Sequence, residues 1–286
     1  MWKEYQSRLI AVVSRLSRKH LLVFLSIAVG FMSGLVAVIL KNSVYGIQWL
    51  LTERLSVEGF NFSYIFYPTI GLFITTYIVL KVIKQHPGPG IPTTLHAISR
   101  RKSTLKRSQI YASLVTSIFT VGFGGSAGLE APAVQTSAAL GSNLGSILKQ
   151  NYKTKTLLIA CAAAGSMAAI FKAPVAAIIF AVEVIMIDLT TASLVPLLLA
   201  SLSAFITSFL LLGDHQLLRF QSAEPFMLSH VHHYVLLGVI CGLASVYFNK
   251  IYLFITSKFQ KLVKPWTRVL IGGFMLGVIV LVFPPL

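Results

Sequence analysis

Long apolar runs, separated by short polar and basic stretches, dominate the hydropathy pattern of this chain. Residues 21–40 and 194–212 are each apolar over the length of about 20 residues that an α-helix needs to cross a bilayer. Similar runs cover residues 64–80 and 269–283, and a longer helix is expected over residues 231–262. The pattern predicts an all-α, polytopic membrane protein in which these segments span the bilayer.

Two further apolar regions are each divided by helix-breaking residues. Residues 110–123 lead into a glycine-rich loop, and a helix of small residues is expected after it over residues 133–148. Residues 157–171 end at a Lys-Ala-Pro break, beyond which an apolar stretch covers residues 175–187. Pairs of interrupted helices usually mark a transporter binding site near the middle of the membrane. We therefore predict such a site in this chain.

Composition and charge agree with a membrane protein. Of the 286 residues, 56% are hydrophobic and 11% are charged, and the mean hydropathy is +0.80. No polar stretch is long enough to form a soluble domain, so residues 1–286 are expected to form one transmembrane domain. The net charge of +16 lies mostly in loops between apolar runs. Cytoplasmic loops of membrane proteins are enriched in Lys and Arg, which explains the charge without a nucleic-acid partner.

The basic N-terminus, residues 1–20, is accordingly predicted to be cytoplasmic. It shows no cleavage site for a signal peptide, and a multi-pass protein of a bacterial inner membrane, surrounded by lipid, is expected. Both cysteines lie inside apolar runs and are expected to be packing thiols. His230, His232 and His233 could bind a metal, but a helix start at the membrane interface explains them better. No metal and no cofactor are predicted.

The glycine-rich loop contains the most informative residue, Glu130. Residues 122–132 read Gly-Phe-Gly-Gly-Ser-Ala-Gly-Leu-Glu-Ala-Pro. A carboxylate within the bilayer costs about 2.5 kcal/mol or more, so such residues usually face a water path or a partner. Pro132 suits the first turn of a helix, where free N–H groups form an anion site. Glu130 is predicted to compete with an anion for that position. The alternative is a structural acid that accepts hydrogen bonds from nearby backbone.

Two more motifs have competing explanations. Residues 86–92, rich in Pro and Gly, form either an ordinary cytoplasmic turn or the lining of an anion site. Gly124-Gly-Ser126-Ala-Gly128 fits the nucleophile elbow of serine hydrolases, which requires a preceding strand. The flanking segments are predicted to be helices, so an intramembrane serine hydrolase is a remote alternative. Lys172, in the second break, is expected to extend its ammonium group towards water.

The order and spacing of three motifs resemble the CLC family of chloride channels and proton-coupled anion exchangers. The motifs are Gly-Pro-Gly-Ile-Pro at residues 88–92, Gly-Leu-Glu-Ala-Pro at residues 128–132, and an alanine-rich segment with a Lys-Ala-Pro break at residues 162–183. The resemblance implies an all-helical fold of two inverted repeats. It also implies a homodimer in which each subunit has its own anion pathway.

The resemblance assigns residues 21–212 to the first repeat and residues 229–286 to the start of the second. The family's later Gly-x-Phe-x-Pro motif and its pore tyrosine are not found. The second repeat is therefore expected to be incomplete, as in a truncated chain or a fragment.

The same resemblance implies which residues form the anion site. The family's first motif usually reads Gly-Ser-Gly-Ile-Pro, and its serine contacts the central anion. Its second motif usually reads Gly-Arg-Glu-Gly-Pro, and its glutamate is the gate, a position held here by Glu130. The positions that correspond to the anion-binding residues are Gly88, Pro89, Gly90, Ile91, Gly128, Leu129 and Ala131.

Two departures from the family pattern affect the predicted function. Pro89 has no hydroxyl group to donate to a small anion, and proline at that position is associated in the family with nitrate. Many exchangers have a glutamate pair whose second member accepts a proton, whereas this chain reads Glu183-Val184. Glu183 is either part of a proton path or a carboxylate at the membrane edge. We predict passive, gated transport of chloride or nitrate, with proton-coupled anion exchange as the alternative.

Overall fold

A computed structural model describes residues 17–54, 65–84, 88, 90–185, 190–213, 227–262 and 264–282. The predicted cytoplasmic residues 1–16 and the predicted site residue Pro89 lie outside this part of the chain. The described residues form helices and connections, without a strand. The α-helices are α1 (Arg18–Trp49), α2 (Phe66–Tyr77), α3 (Ile91–Arg100), α4 (Ser108–Gly122), α5 (Glu130–Ile147), α6 (Tyr152–Phe171), α7 (Pro174–Ile185), α8 (Thr191–Leu212), α9 (Val231–Gln260) and α10 (Pro265–Val282).

Six of the helices in the described residues are long and apolar enough to cross a membrane. They are α1, α2 with its wider π-helical continuation Ile78–Ile83, α6, α8, α9 and α10. α1 runs well past the predicted end at residue 40, because nothing in residues 41–49 breaks a helix. α5 begins at Glu130 rather than at residue 133, because the first turn of a helix tolerates Pro132.

Close contacts between small residues position α6 at the centre of the bundle. α6 packs against α1, α5, α7 and α8, and most of its residues from Leu158 to Ala169 are buried. A Cβ atom placed on Gly30 of α1 would collide with the Ala200 backbone of α8, and one on Gly141 of α5 would lie 2.6 Å from the Leu158 carbonyl oxygen of α6. Small residues allow membrane helices to approach this closely. The predicted helix of small residues therefore forms part of the core.

The glycine-rich loop ends α4 with a defined hydrogen-bond pattern. Gly124 adopts a left-handed conformation, with φ of 90°. The N–H of Gly125 donates to the Thr120 carbonyl at 2.8 Å, and the N–H of Gly124 donates to the Val121 carbonyl at 3.0 Å. This pair of bonds is the Schellman motif, which favours glycine at its left-handed residue. The chain then turns and enters α5 at Glu130.

The second break, between α6 and α7, is short, and a lysine side chain in it is bonded to the end of α8. Lys172 adopts a left-handed conformation, with φ of 58°. Its Nζ donates to the Gly213 carbonyl at the end of α8, at 2.8 Å, and lies 5.5 Å from the centroid of the Phe209 ring. The sequence analysis expects Lys172 to extend towards water and does not predict this contact with α8. The lysine holds the α6–α7 break against the neighbouring helix.

The last two helices differ from each other in how they pack against the rest of the chain. α10 contacts α2 closely, and a Cβ atom on Gly273 would lie 2.6 Å from Thr69. α9 has no buried residue, and its apolar side chains are exposed over its whole length. The tightly packed part of the described chain therefore lies within α1 to α8, and the candidate site lies inside it.

Candidate anion site at two helix N-termini

The N-terminus of α5 presents backbone donors without partners. Within the described residues, the N–H groups of Glu130 and Ala131 donate to no backbone or side-chain acceptor, and Pro132 has no N–H group. The first intrahelical bond is donated by Ala133 to the Leu129 carbonyl at 3.1 Å. A helix N-terminus carries partial positive charge in addition to such free donors. The start of α5 therefore has the properties of an anion site.

The N-terminus of α3 meets that of α5. Gly90 caps α3 with a positive φ of 77°, which favours glycine, and its carbonyl accepts a bond from the Thr93 N–H at 3.0 Å. Gly90 is buried, and a Cβ atom placed on it would lie 3.2 Å from the Cβ of Ala131. The two loops that are 40 residues apart in the sequence are thus in contact at the starts of their helices. Two partial positive charges add at this point.

Glu130 turns its carboxylate back towards the loop that precedes it. A Cβ atom on Gly128 would collide with the Oε2 atom of Glu130, so the glycine makes room for this carboxylate. The side chain is half-buried and forms no hydrogen bond or ion pair with any other described residue. The alternative of a structural acid bonded to nearby backbone therefore has no supporting contact in the described residues. An unpaired carboxylate beside two helix N-termini has the chemistry of a competitor for an anion.

The structure brings most of the predicted site residues into one region. Gly90 and Ala131 are in contact, Ile91 and Glu130 are the first residues of their helices, and Gly128 touches the carboxylate. The remaining predicted residues occupy the same two loops, except Pro89, which is not described. A Cβ atom on Gly88 would collide with the Thr93 hydroxyl group, and Leu129 caps α5.

Glu183 and Val184 lie on α7, which packs against α6 and α8 rather than against α5. Glu183 is exposed, on the same helix face as the exposed residues Val175 and Ile179. Val184 packs against the main apolar core. The structure therefore does not bring Glu183 together with Glu130, and its role in a proton path stays a prediction.

A buried polar pair between α4 and α5 was not predicted from the sequence. Ser113 of α4 donates to the Oε1 atom of Gln135 of α5 at 3.1 Å, and Gln135 is only 1% exposed. Polar side chains within a membrane are costly unless they are bonded, so they usually have a structural or functional reason. The signal was a glutamine among small residues, five positions after Glu130. The pair fixes α4 against α5 within two turns of Glu130.

Ser126 does not have the surroundings of a nucleophile elbow. It is exposed in the turn between α4 and α5. The elbow requires a strand where this chain has α4. The pentapeptide match therefore arises from the glycine content of a turn between helices.

Comparison with known proteins identifies the family. Residues 70–286 match the family described as voltage gated chloride channel. The chain belongs to this family. It is a multi-pass integral membrane protein with the CLC fold, as the sequence predicted. The crystal structure of a CLC-type fluoride/proton antiporter is similar to it with a TM-score of 0.77 and 25% identity, over 91% of this chain and 65% of that chain.

Two relatives show how much of a family member this chain spans. An uncharacterized protein of Methanocaldococcus jannaschii is 30% identical over 212 residues, which are 73% of this chain and 51% of that protein. The H(+)/Cl(-) exchange transporter ClcA of Vibrio campbellii is 28% identical over 89% of this chain and 56% of its own length. The chain thus spans about half the length of the curated relatives it matches.

Proposed function

We propose that this chain forms part of a proton-coupled exchange pathway for small monovalent anions, with Glu130 as the gate. The observation that carries the proposal is the contact between the α3 and α5 N-termini beside an unpaired carboxylate. Chloride is the expected anion, and nitrate and fluoride are alternatives that carry the same single charge. The proposal favours exchange over a passive channel because the relatives described above include an exchange transporter and an antiporter.

Competition between the carboxylate and the anion provides the mechanism. The ionised Glu130 side chain and a permeant anion are both attracted to the same helix N-termini. When Glu130 takes up a proton, its attraction to these donors weakens, and the anion replaces it. Each cycle then moves a proton on the carboxylate and an anion through the site, in opposite directions. The assembly proposed for this pathway is a homodimer in a bacterial inner membrane.

A passive, gated anion pathway is the second candidate, and Val184 is the observation that favours it. A valine packed against the core cannot carry a proton from the other side of the membrane. In that case Glu130 would still open and close the pathway, but proton movement would not be required for anion movement.

The two candidates are distinguished by the reversal potential of the full chain reconstituted in liposomes. A chloride gradient is held constant while the pH gradient is varied. A reversal potential that changes with the pH gradient supports exchange, whereas one that depends only on chloride supports the passive pathway. Liposomes containing the chain that show no more chloride, nitrate or fluoride flux than protein-free liposomes would overturn both candidates for this chain.

A further inference from the structure

A cleft of about 270 Å³ lies between α3 and the first turn of α4. One wall is a face of α3, and the other is the connection of residues 101–107 together with the start of α4. Pockets for drug-sized molecules begin at about 300 Å³, so this cleft is suited to a smaller polar group. The polar side chains that line it, here called the α3–α4 cleft, belong to Thr93, His96, Arg101, Thr104, Lys106 and Gln109.

The charge of the α3–α4 cleft is positive and uncompensated. Arg101 and Lys106 are cationic, no carboxylate lines the cleft, and neither cation forms an ion pair with a described residue. A third cation lies at the rim, where the Nζ of Lys155 donates to the Thr104 hydroxyl group at 2.8 Å. The planar guanidinium group of an arginine matches the geometry of phosphate oxygens, and a nearby lysine adds a point charge.

The connection that carries these cations is held rigidly by α5. The Ser142 hydroxyl group donates to the Ser103 carbonyl at 2.7 Å, and it accepts a bond from the Leu105 N–H at 2.9 Å. Asn143 donates to the Leu105 carbonyl at 3.3 Å. The cleft is therefore formed in advance, which reduces the entropy lost when a ligand binds.

Gln109 adds a requirement for a hydrogen-bond donor. Its Oε1 atom is buried and has no hydrogen-bond partner among the described residues. The amide of Gln109 also lines the cleft, where it can exchange hydrogen bonds with a ligand hydroxyl group, which both donates and accepts. A matching ligand combines a phosphate group for Arg101 and Lys106 with a hydroxyl group for Gln109.

The location of the cleft suits a lipid headgroup. α4 continues from Gln109 into an apolar helix, and Tyr111 in its first turn is 51% exposed. Tyrosine is enriched where a membrane helix passes through the headgroup layer, and basic pockets between membrane helices bind lipid headgroups. We propose that the α3–α4 cleft binds the phosphate of an anionic phospholipid whose headgroup carries a hydroxyl group. The proposal does not rest on the transport function proposed above, and Thr93, at the α3 end of the cleft, also lies against Gly88 and Gly90 of the candidate anion site.

The test is native mass spectrometry of the full chain in detergent, titrated with phosphatidylglycerol or phosphatidylcholine. Arg101→Gln and Lys106→Gln together are expected to weaken phosphatidylglycerol binding about 25-fold, at ~1 kcal/mol or about fivefold for each charge-assisted hydrogen bond to the phosphate that is lost. Arg100→Gln with Arg107→Gln is the matched control, because it removes the same charge from exposed residues that do not line the cleft. The control is expected to retain binding to within about twofold.

Two further measurements define the ligand. Gln109→Met is expected to abolish the preference for phosphatidylglycerol over phosphatidic acid, which lacks the glycerol hydroxyl groups. Equal retention of phosphatidylglycerol and phosphatidylcholine, or the same loss of binding in the cleft and control variants, would overturn the proposal. Displacement of the lipid by equimolar inorganic phosphate would show that the source of the phosphate is a soluble ligand, and would overturn the lipid assignment.

Discussion

The two breaks in the membrane helices of this protein are held in opposite ways. Between α4 and α5 the chain makes a glycine-rich turn, and the carboxylate of Glu130 beside it has no partner among the described residues. Between α6 and α7 the break is short, and Lys172 fastens it to the Gly213 carbonyl of α8. Both breaks therefore carry a charged side chain, but Glu130 is unpaired among the described residues and Lys172 is bonded to a neighbouring helix.

The difference supports the gating role proposed for Glu130 at the first break. An unpaired polar group in a membrane protein reduces stability, so its presence is better explained by a ligand or a movement than by the fold. A charged group that donates to a backbone carbonyl and lies over an aromatic ring is explained by the fold alone. On this argument, changes at Glu130 should alter transport, and changes at Lys172 should alter stability.

The largest effect is expected from Glu130→Gln, which removes the charge and retains the shape of the side chain. If the carboxylate is the gate, proton movement in liposomes should fall to the leak of protein-free vesicles, and anion flux should no longer depend on pH. Glu53→Gln is the control, because it makes the same chemical change at an exposed carboxylate in the π-helical turn Leu50–Arg54 that follows α1, which is not part of the candidate site. Unchanged pH dependence in Glu130→Gln would exclude Glu130 as the gate.

A smaller effect, on stability, is expected from Lys172→Met. It removes the bond to Gly213 and the contact with Phe209, together about 1 kcal/mol, which should lower the midpoint of thermal unfolding in detergent by about 2 °C. Lys149→Met is the matched control. Lys149 is also a lysine in a left-handed conformation at a helix end, with φ of 52°, and its side chain contacts no described partner. Equal shifts in the two variants would show that the bond to Gly213 does not stabilise the break.

The smallest effect is expected from Gly128→Ala. The added methyl group would displace the carboxylate of Glu130, a flexible end that can move, and the backbone of Gly128 is not left-handed. We expect the anion flux at a fixed pH to change by no more than about threefold, or ~0.7 kcal/mol, with no loss of thermal stability. Gly46→Ala is the control, because a Cβ atom there meets nothing within 4 Å. A large loss of stability in Gly128→Ala alone would contradict this account.

The helical class and the location of both breaks could be predicted from the sequence, because apolar runs and Gly or Pro residues determine the backbone conformation of their own segment. The predicted start of α5, at residue 133, is three residues later than the observed start at Glu130. The helix was expected to begin after Pro132, but proline is also compatible with a first helical turn. The sequence could not reveal the bond from Lys172 to Gly213, whose partners are 41 residues apart. The contact between Gly90 and Ala131 was expected only through the family resemblance, since no local pattern pairs two loops.

The absence of side chains at Gly30 and Gly141 limits what kind of movement can open the site. Because these residues touch the backbones of neighbouring helices, a sliding displacement of α1 or α5 would drive main-chain atoms into one another. If Glu130 is the gate, it then opens by rotation about its own side-chain bonds. Such rotations take place far faster than the collective displacement of helices, so the opening step itself should not limit the rate of turnover.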